Sequence, residues 1–247
     1  MNYLEIAKYN DEKNKNSLAK ITGFVFLFSL IIPLINWSFI LSKFIDNENV
    51  LNTANNIMAK ETLFRVGITI ELVMSVGLVL LAVLLYRILK SVNMNLALIA
   101  LILKLVEATI MATSVLIPFI ALQIQIGEIS NTVVTHEQLM LPIGLIFNSH
   151  TAITSIAMFF LGLDMMVFSY LFLKSKYIPR LISSFGILSF MLIFLHSLMY
   201  IIAPEFAEMP IYQIIFWLPS GLFEIIIGIW LLVKGLKINS PKMIVIQ

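Results

Sequence analysis

Residues 96–120 read LALIALILKLVEATIMATSVLIPFI, an apolar run interrupted near its middle by Lys104 and Glu107. At about 1.5 Å per residue, a helix of this length can cross the hydrocarbon core of a bilayer, which is about 30 Å thick. An ionised side chain at mid-membrane depth is costly unless other polar groups surround it. Because this helix cannot supply all of those groups itself, the sequence predicts a polytopic membrane protein in which other spanning helices do so.

The composition of the 247-residue chain supports this class, with 60% apolar and only 12% charged residues. Soluble domains contain about 25% charged residues. The formal net charge of +2 provides no large basic field, so we expect no nucleic-acid partner. The absence of cysteine excludes disulfides, thiolate metal ligands and a cysteine nucleophile. The lipid bilayer is therefore the first predicted partner.

Six stretches are long and apolar enough to span a membrane, which requires about 20 residues. They are residues 21–41, 63–89, 96–120, 145–173, 181–203 and 211–236. We predict an all-α bundle of six transmembrane helices that forms a single domain over residues 20–237. Residues 1–19 are predicted as an N-terminal tail and residues 238–247 as a C-terminal tail.

Proline and glycine positions predict where the helices bend or begin and where two helices can approach closely. Pro33, Pro118 and Pro219 lie inside spans and are expected to kink them. Pro142 is expected to mark the start of the fourth helix. In the sixth helix, Gly221 and Gly228 would allow a neighbouring helix to approach closely.

Lysine and arginine are distributed very unevenly between the loops. If the N-terminus is inside, twelve of them fall in cytoplasmic segments, and only Lys43 and Lys60 fall in outer loops. This bias predicts that both termini are cytoplasmic. The first apolar run has no small-residue cleavage site after it, so we expect a retained helix and not a signal peptide.

Four charged residues from three helices fall near the middle of the membrane when depth is counted along each helix. We call them the charged cluster: Lys104, Glu107, Asp164 and Glu224. We expect Lys104 to pair with Asp164, and Glu107 to face Glu224 without a base. A second set lies nearer the outer, non-cytoplasmic ends of the helices. We call it the outer-side group, and it consists of Arg65, Glu71, His150 and His196.

Acids outnumber bases inside the spans when groups that flank the helix ends, such as Arg87 and Lys234, are excluded: four carboxyl groups then face only Lys104 and Arg65. If all were ionised, two negative charges would remain unpaired at low dielectric. We therefore expect a bound cation, a charged histidine or a protonated carboxyl group. In the last case, one of Glu71, Glu107 and Glu224 is predicted to be protonated at pH 7.

Three functional interpretations remain open. In the first, the charged cluster binds a small or cationic solute or moves protons, without a cofactor and without enzymatic activity. In the second, Glu71, His150 and His196 hold a metal ion in an intramembrane enzyme, a ligand set suited to zinc or iron, although no two histidines lie one helical turn apart. In the third, a non-catalytic envelope or immunity-type protein acts through helix partners, and the buried charges only fix helix register. A homo-oligomer is compatible with all three.

Several short motifs occur in a recognisable order along the chain. They are KITG (20–23), LFRVG (63–67), LY (85–86), NLAL (95–98), LVEA (105–108), His150, KSKYIPR (174–180), Glu224 and WLLVKG (230–235). In this order the chain resembles the bacterial membrane-protein family called domain of unknown function 4386. The resemblance implies a protein of several membrane helices in a bacterial inner or plasma membrane, in a family without an established activity.

The resemblance also marks individual positions. The residues that match the family pattern are Arg65, Glu107, His150 and Glu224. By this resemblance, Lys104 stands at a position where the family commonly has arginine, and Asp164 stands at a position where histidine is usual. The second departure argues against a site centred on histidines, while a carboxylate at the same place can still bind a cation or a proton.

Overall fold

The structure is a computed structural model that describes residues 3–46, 49–126 and 136–237. Side chains are described within these ranges except for residues 3–13, 50, 51, 54, 121, 124–126 and 136–151. The described chain contains helices and turns and no strand. Its α-helices are α1 (Tyr3–Phe39), α2 (Val50–Ala59), α3 (Glu61–Leu89), α4 (Met94–Ser114), α5 (Leu116–Ile126), α6 (His136–Ser175), α7 (Arg180–Ile202), α8 (Pro204–Ala207) and α9 (Pro210–Val233).

Six helical segments are long and apolar enough to cross a membrane. They are Asn14–Lys43, Glu61–Leu89, Met94–Ile120, Ala152–Ser175, Arg180–Ile202 and Pro210–Val233. The predicted all-α, six-span bundle is confirmed, and the chain is a multi-pass membrane protein. The cytoplasmic location of both termini stays a prediction that depends on the distribution of lysine and arginine.

Helix boundaries differ from the sequence prediction at two places. Helix α1 begins at Tyr3, so most of the predicted tail 1–19 is helical and continuous with the first span; no glycine or proline interrupts it there. Helix α6 begins at His136, so Pro142 lies in its second turn and does not start it. The predicted C-terminal tail, 238–247, lies outside the described residues.

The three prolines inside spans have different effects. Pro33 lies within α1 and Pro219 lies within α9, and both helices continue through them. The third span breaks at Val115, between α4 and α5. Pro118 explains the break, because it has no N–H to donate to the carbonyl of Ser114 and its ring crowds that carbonyl.

The spanning helices form a closed ring in chain order. Each packs against the next in the series α1, α3, α4, α6, α7 and α9, and α9 packs against α1. The end of the bundle where α1 finishes and α3 starts also carries α2 and α8, and we call it the α2 end. A small apolar core lies there, and a larger one lies toward the other end, with Phe168, Phe190 and Phe223 fully buried.

The contact that closes the ring depends on two glycines. A Cβ atom on Gly23 of α1 would lie only 2.6 Å from the backbone oxygen of Gly228 and 2.6 Å from the backbone nitrogen of Leu232. The backbones of α1 and α9 therefore touch, which only small residues permit. The expected close approach is confirmed at Gly228 and is wrong at Gly221, where a Cβ atom would have no neighbour within 4 Å.

Candidate functional site: a charged cluster inside the ring

Helix α4 places Lys104 and Glu107 on its inner face because residues three apart are neighbours on a helix. Both side chains are buried, as are Ser114 and Pro118 further along the same face. The opposite face of α4 is apolar and borders a shallow surface groove that includes Ile102, Leu105 and Val106. The amphipathic pattern of this one helix therefore directs its two charges into the bundle.

The ammonium group of Lys104 is shared between two acids. Its Nζ atom lies 2.7 Å from Oε2 of Glu107 and 3.5 Å from Oδ1 of Asp164. The predicted contact with Asp164 is therefore present, but the shorter contact is with Glu107. The expectation that Glu107 lacks a base is wrong, because the lysine side chain on the same helix turn reaches it.

Asp164, on α6, is the second acid of the charged cluster, and its side chain is 0% exposed. Apart from Lys104 Nζ, no donor among the described residues reaches either carboxylate oxygen. Glu107 is close enough for a hydrogen bond between the two carboxyl groups if one of them carries a proton. A carboxylate this poorly solvated is a strong acceptor for a proton or a cation.

Glu224 is the third acid of the charged cluster and lies on α9, across the ring from α4. It comes within electrostatic range of both Lys104 and Glu107. It makes no hydrogen bond or ion pair with another described residue, and its side chain is partly exposed. The structure therefore brings all four residues of the charged cluster together, with Glu224 as the most accessible member.

The ratio of acids to bases is more unequal than the sequence predicted. Arg65 does not contribute to the charged cluster, because its Nε atom binds Oε1 of Glu61 at 2.7 Å and both side chains are half-exposed. Lys104 is the only base among the described residues that pairs with Glu107 and Asp164. Two carboxyl groups thus share one ammonium group in the interior of the bundle, and a third, that of Glu224, lies within electrostatic range of it.

His196, from the outer-side group, has a different set of contacts. Trp217 Nε1 donates a hydrogen bond of 3.3 Å to its Nδ1 atom, and its Nε2 atom lies 3.1 Å from the carbonyl oxygen of Ala207. Because Nδ1 accepts, Nε2 carries the proton and donates to Ala207. Both ring nitrogens are therefore used to link α7 to α8 and α9. This link was not predicted from the sequence, since no spacing rule connects these three positions.

The outer-side group does not form a metal site among the described side chains. Glu71 is partly buried on α3, and the side chain of His150 lies outside the described residues. No set of three histidine or acidic side chains in the described part of the chain is arranged to hold a metal ion. The nitrogens of His196 would have to leave Trp217 and Ala207 before they could coordinate one.

Comparison with known proteins supplies a family but no activity. No curated protein sequence and no solved structure matches the chain. The family model described as "Domain of unknown function (DUF4386)" matches residues 21–235, which include most of the first span, the other five spans and the whole charged cluster. The chain therefore belongs to the family of domain of unknown function 4386.

Proposed function

We propose that the protein binds a small cation or carries protons at the charged cluster. The observation that carries this proposal is that Glu107 and Asp164 share the single ammonium group of Lys104, while Glu224 lies within electrostatic range of it and has no ion pair of its own among the described residues. If all four groups were ionised, three negative charges and one positive charge would leave two negative charges in a low-dielectric interior. Uptake of protons or of a cation removes that surplus.

The contacts suggest how the acids of the charged cluster are stabilised. Lys104 occupies the position between Glu107 and Asp164 and acts as a tethered cation. Its ammonium group is a compact charge on a flexible stem, so it can shift between the two acids. Glu224 has no such contact and remains the acid that a proton or an external cation reaches first.

A purely structural role explains these contacts less well. The shorter of the two ion pairs of Lys104, that with Glu107, lies within one helix and cannot fix the register of one helix against another. The contact from Lys104 to Asp164 joins two helices, but at 3.5 Å it is long. Glu224 pairs with no described residue. A network that served only packing would be expected to satisfy its buried acids more completely.

Transport assays in liposomes test the proposal. Purified protein is reconstituted, and the flux of protons and of small cations is followed together with cation binding in detergent. We expect Glu107→Gln and Glu224→Gln to abolish the flux or binding seen in the wild type. Glu205→Gln, on the exposed helix α8, is the matched control and should leave both unchanged. Flux and binding that survive both cluster substitutions, or that are absent from the wild type, would refute the proposal.

A further inference from the structure

Exposed basic side chains are concentrated at the end of the bundle opposite the α2 end, which we call the basic end. Helix α1 starts there, α3 and α9 finish there, and the turn between α6 and α7 lies there. No acidic side chain among those described lies at this end, whereas the α2 end carries Asp46, Glu61, Glu205 and Glu208. The exposed bases of the basic end are Lys20, Arg87, Lys90, Lys174, Lys176, Arg180, Lys234 and Lys237.

Two hydrogen bonds fix the segment that follows α9 at the basic end. The backbone N–H of Leu236 donates to Oδ1 of Asn16 on α1 at 2.8 Å. The backbone N–H of Lys237 donates to the carbonyl oxygen of Tyr177 at 2.7 Å. Gly235, with a φ of 65°, allows the chain to turn away from the helix axis just before these bonds. Lys237 is therefore held against the turn between α6 and α7 by its own backbone.

That turn brings a second lysine next to Lys237. Lys176 directly precedes Tyr177, whose carbonyl accepts the hydrogen bond from Lys237. The φ of Lys176 is 58°, in the left-handed region that favours glycine. We call Lys176 and Lys237 the lysine pair, and neither pairs with an acid in the described part of the chain. Neighbouring positive charges repel each other, and a bound anion would relieve that repulsion.

An apolar surface lies next to the lysine pair, on the side toward the middle of the membrane. The Nζ atom of Lys237 lies 5.5 Å from the ring centre of Trp230, which is partly exposed. Val233 on the last turn of α9 is 66% exposed, and Leu181 on the first turn of α7 is 83% exposed. Tryptophan and lysine side chains typically lie at the level where lipid headgroups meet the hydrocarbon core. The lysine pair is therefore expected at headgroup level.

We propose that the lysine pair binds the phosphate group of an anionic phospholipid, whose acyl chains lie along Trp230 and Val233. The site is separate from the charged cluster, and the inference does not depend on the proposed function. An anionic phospholipid joins a negative headgroup to apolar chains, and this region of the basic end offers a partner to each part. Every lysine at the membrane surface adds to the preference for such a lipid.

Other occupants fit this region less well. A zwitterionic lipid carries a cation in its headgroup, which the lysine pair would repel. A soluble anion would neutralise the lysines but would gain nothing from the exposed side chains of Leu181 and Val233. An acidic protein that docked from the water phase would also leave these two side chains, which belong to spanning helices, uncovered.

Trp230 provides a local reporter for the test because its ring lies beside Lys237. The chain contains three tryptophans, so Trp37→Phe/Trp217→Phe leaves Trp230 alone. This variant is reconstituted into phosphatidylcholine liposomes with increasing fractions of phosphatidylglycerol or phosphatidylcholine that carry bromine on an acyl chain. Bromine quenches tryptophan fluorescence at close range. Trp217→Phe/Trp230→Phe leaves only Trp37, toward the α2 end, as the reference reporter.

We expect brominated phosphatidylglycerol to quench Trp230 with an apparent affinity at least about fivefold higher than that of brominated phosphatidylcholine. The two lipids should quench Trp37 equally. Adding Lys176→Gln/Lys237→Gln to the Trp230 reporter should remove the preference, because the phosphate group loses both of its partners.

Two controls separate a site from a general electrostatic effect. Lys43→Gln/Lys60→Gln removes the same charge from the α2 end. Arg87→Gln removes one charge from the basic end, on α3, which α1 separates from α9 in the ring. Both controls should keep the preference, whereas Lys237→Gln alone should reduce it. Equal quenching of Trp230 by the two lipids, or a preference that Arg87→Gln reduces as much as Lys237→Gln does, overturns the inference.

Discussion

Lys104 Nζ and Glu107 Oε2 are 2.7 Å apart within a single turn of α4, and both side chains are buried. Because the pair belongs to one helix, α4 carries its own neutralising partner before any other helix packs against it. The remaining acids, Asp164 and Glu224, lie on α6 and α9, which follow α4 in the sequence. The charged cluster therefore has a neutral half on α4 and an acidic half opposite it.

Replacing Lys104 should destabilise the fold, because the acids of the charged cluster lose the base that pairs with them. In Lys104→Met, three carboxyl groups lose their only base in the charged cluster, and we expect the free energy of unfolding to fall by about 3–5 kcal/mol. Thermal unfolding in detergent measures the loss. The double variant Lys104→Met/Glu107→Gln removes a whole ion pair and should recover part of it. A single variant as stable as the wild type would show that the acids do not need Lys104.

The backbone contact between α1 and α9 should tolerate no added methyl group. In Gly23→Ala, the new Cβ atom meets backbone atoms at 2.6 Å, and overpacking of this kind costs about 1–3 kcal/mol. We expect a lower midpoint of thermal unfolding. Gly221→Ala, where no atom lies within 4 Å, is the matched control and should keep or raise the midpoint, because alanine favours a helix over glycine by about 0.5–1 kcal/mol. Equal midpoints for the two variants would contradict the close contact.

The link through His196 should contribute modestly to stability. Trp217→Phe removes the N–H group that donates to His196 Nδ1 and keeps most of the ring. We expect a loss of about 1 kcal/mol, which lowers the unfolding midpoint by about 2–4 °C for a chain of this size. Trp37→Phe, on an exposed face of α1, should have no such effect. An unchanged midpoint in Trp217→Phe would argue against this hydrogen bond.

The predicted topology can be checked with single cysteines. Lys60 lies between α2 and α3, and Ser91 lies between α3 and α4, and both are exposed. With cytoplasmic termini, a membrane-impermeant thiol reagent should label Lys60→Cys on intact cells and label Ser91→Cys only after permeabilisation. The reverse pattern would invert the orientation that the lysine and arginine distribution predicts.

The spans and the depth of the charged cluster were predictable because both depend on one-dimensional quantities. The bilayer thickness sets how many apolar residues a span needs, and the rise per residue sets the depth of Lys104, Glu107, Asp164 and Glu224. The break near Pro118 followed from its missing N–H group. The helical N-terminal segment was missed because hydropathy detects spans and is silent about a polar helix that continues one.

The neighbours of each side chain were not predictable from the same quantities. The shorter contact of Lys104 with Glu107 depends on side-chain conformation, which spacing does not determine. The hydrogen bond from Asn36 of α1 to the backbone oxygen of Gly67 on α3 could not be predicted either, because the sequence does not state which helices pack together. Gly221 and Gly228 look alike in the sequence, yet only Gly228 contacts another helix.

The charge of the cluster at pH 7 is the most direct test of this account. Infrared titration of purified, metal-free protein detects the carbonyl stretch of a protonated carboxyl group, and Glu107→Gln, Asp164→Asn and Glu224→Gln assign it. Glu71→Gln separates any contribution of the acid on α3, and Glu205→Gln, on the exposed helix α8, is the control. We predict a protonated carboxyl group at pH 7 that at least one of the three cluster substitutions removes and Glu205→Gln does not. If every carboxyl group of the cluster is still ionised near pH 5 without a bound cation, the surplus negative charge is tolerated as it stands, and the account is wrong.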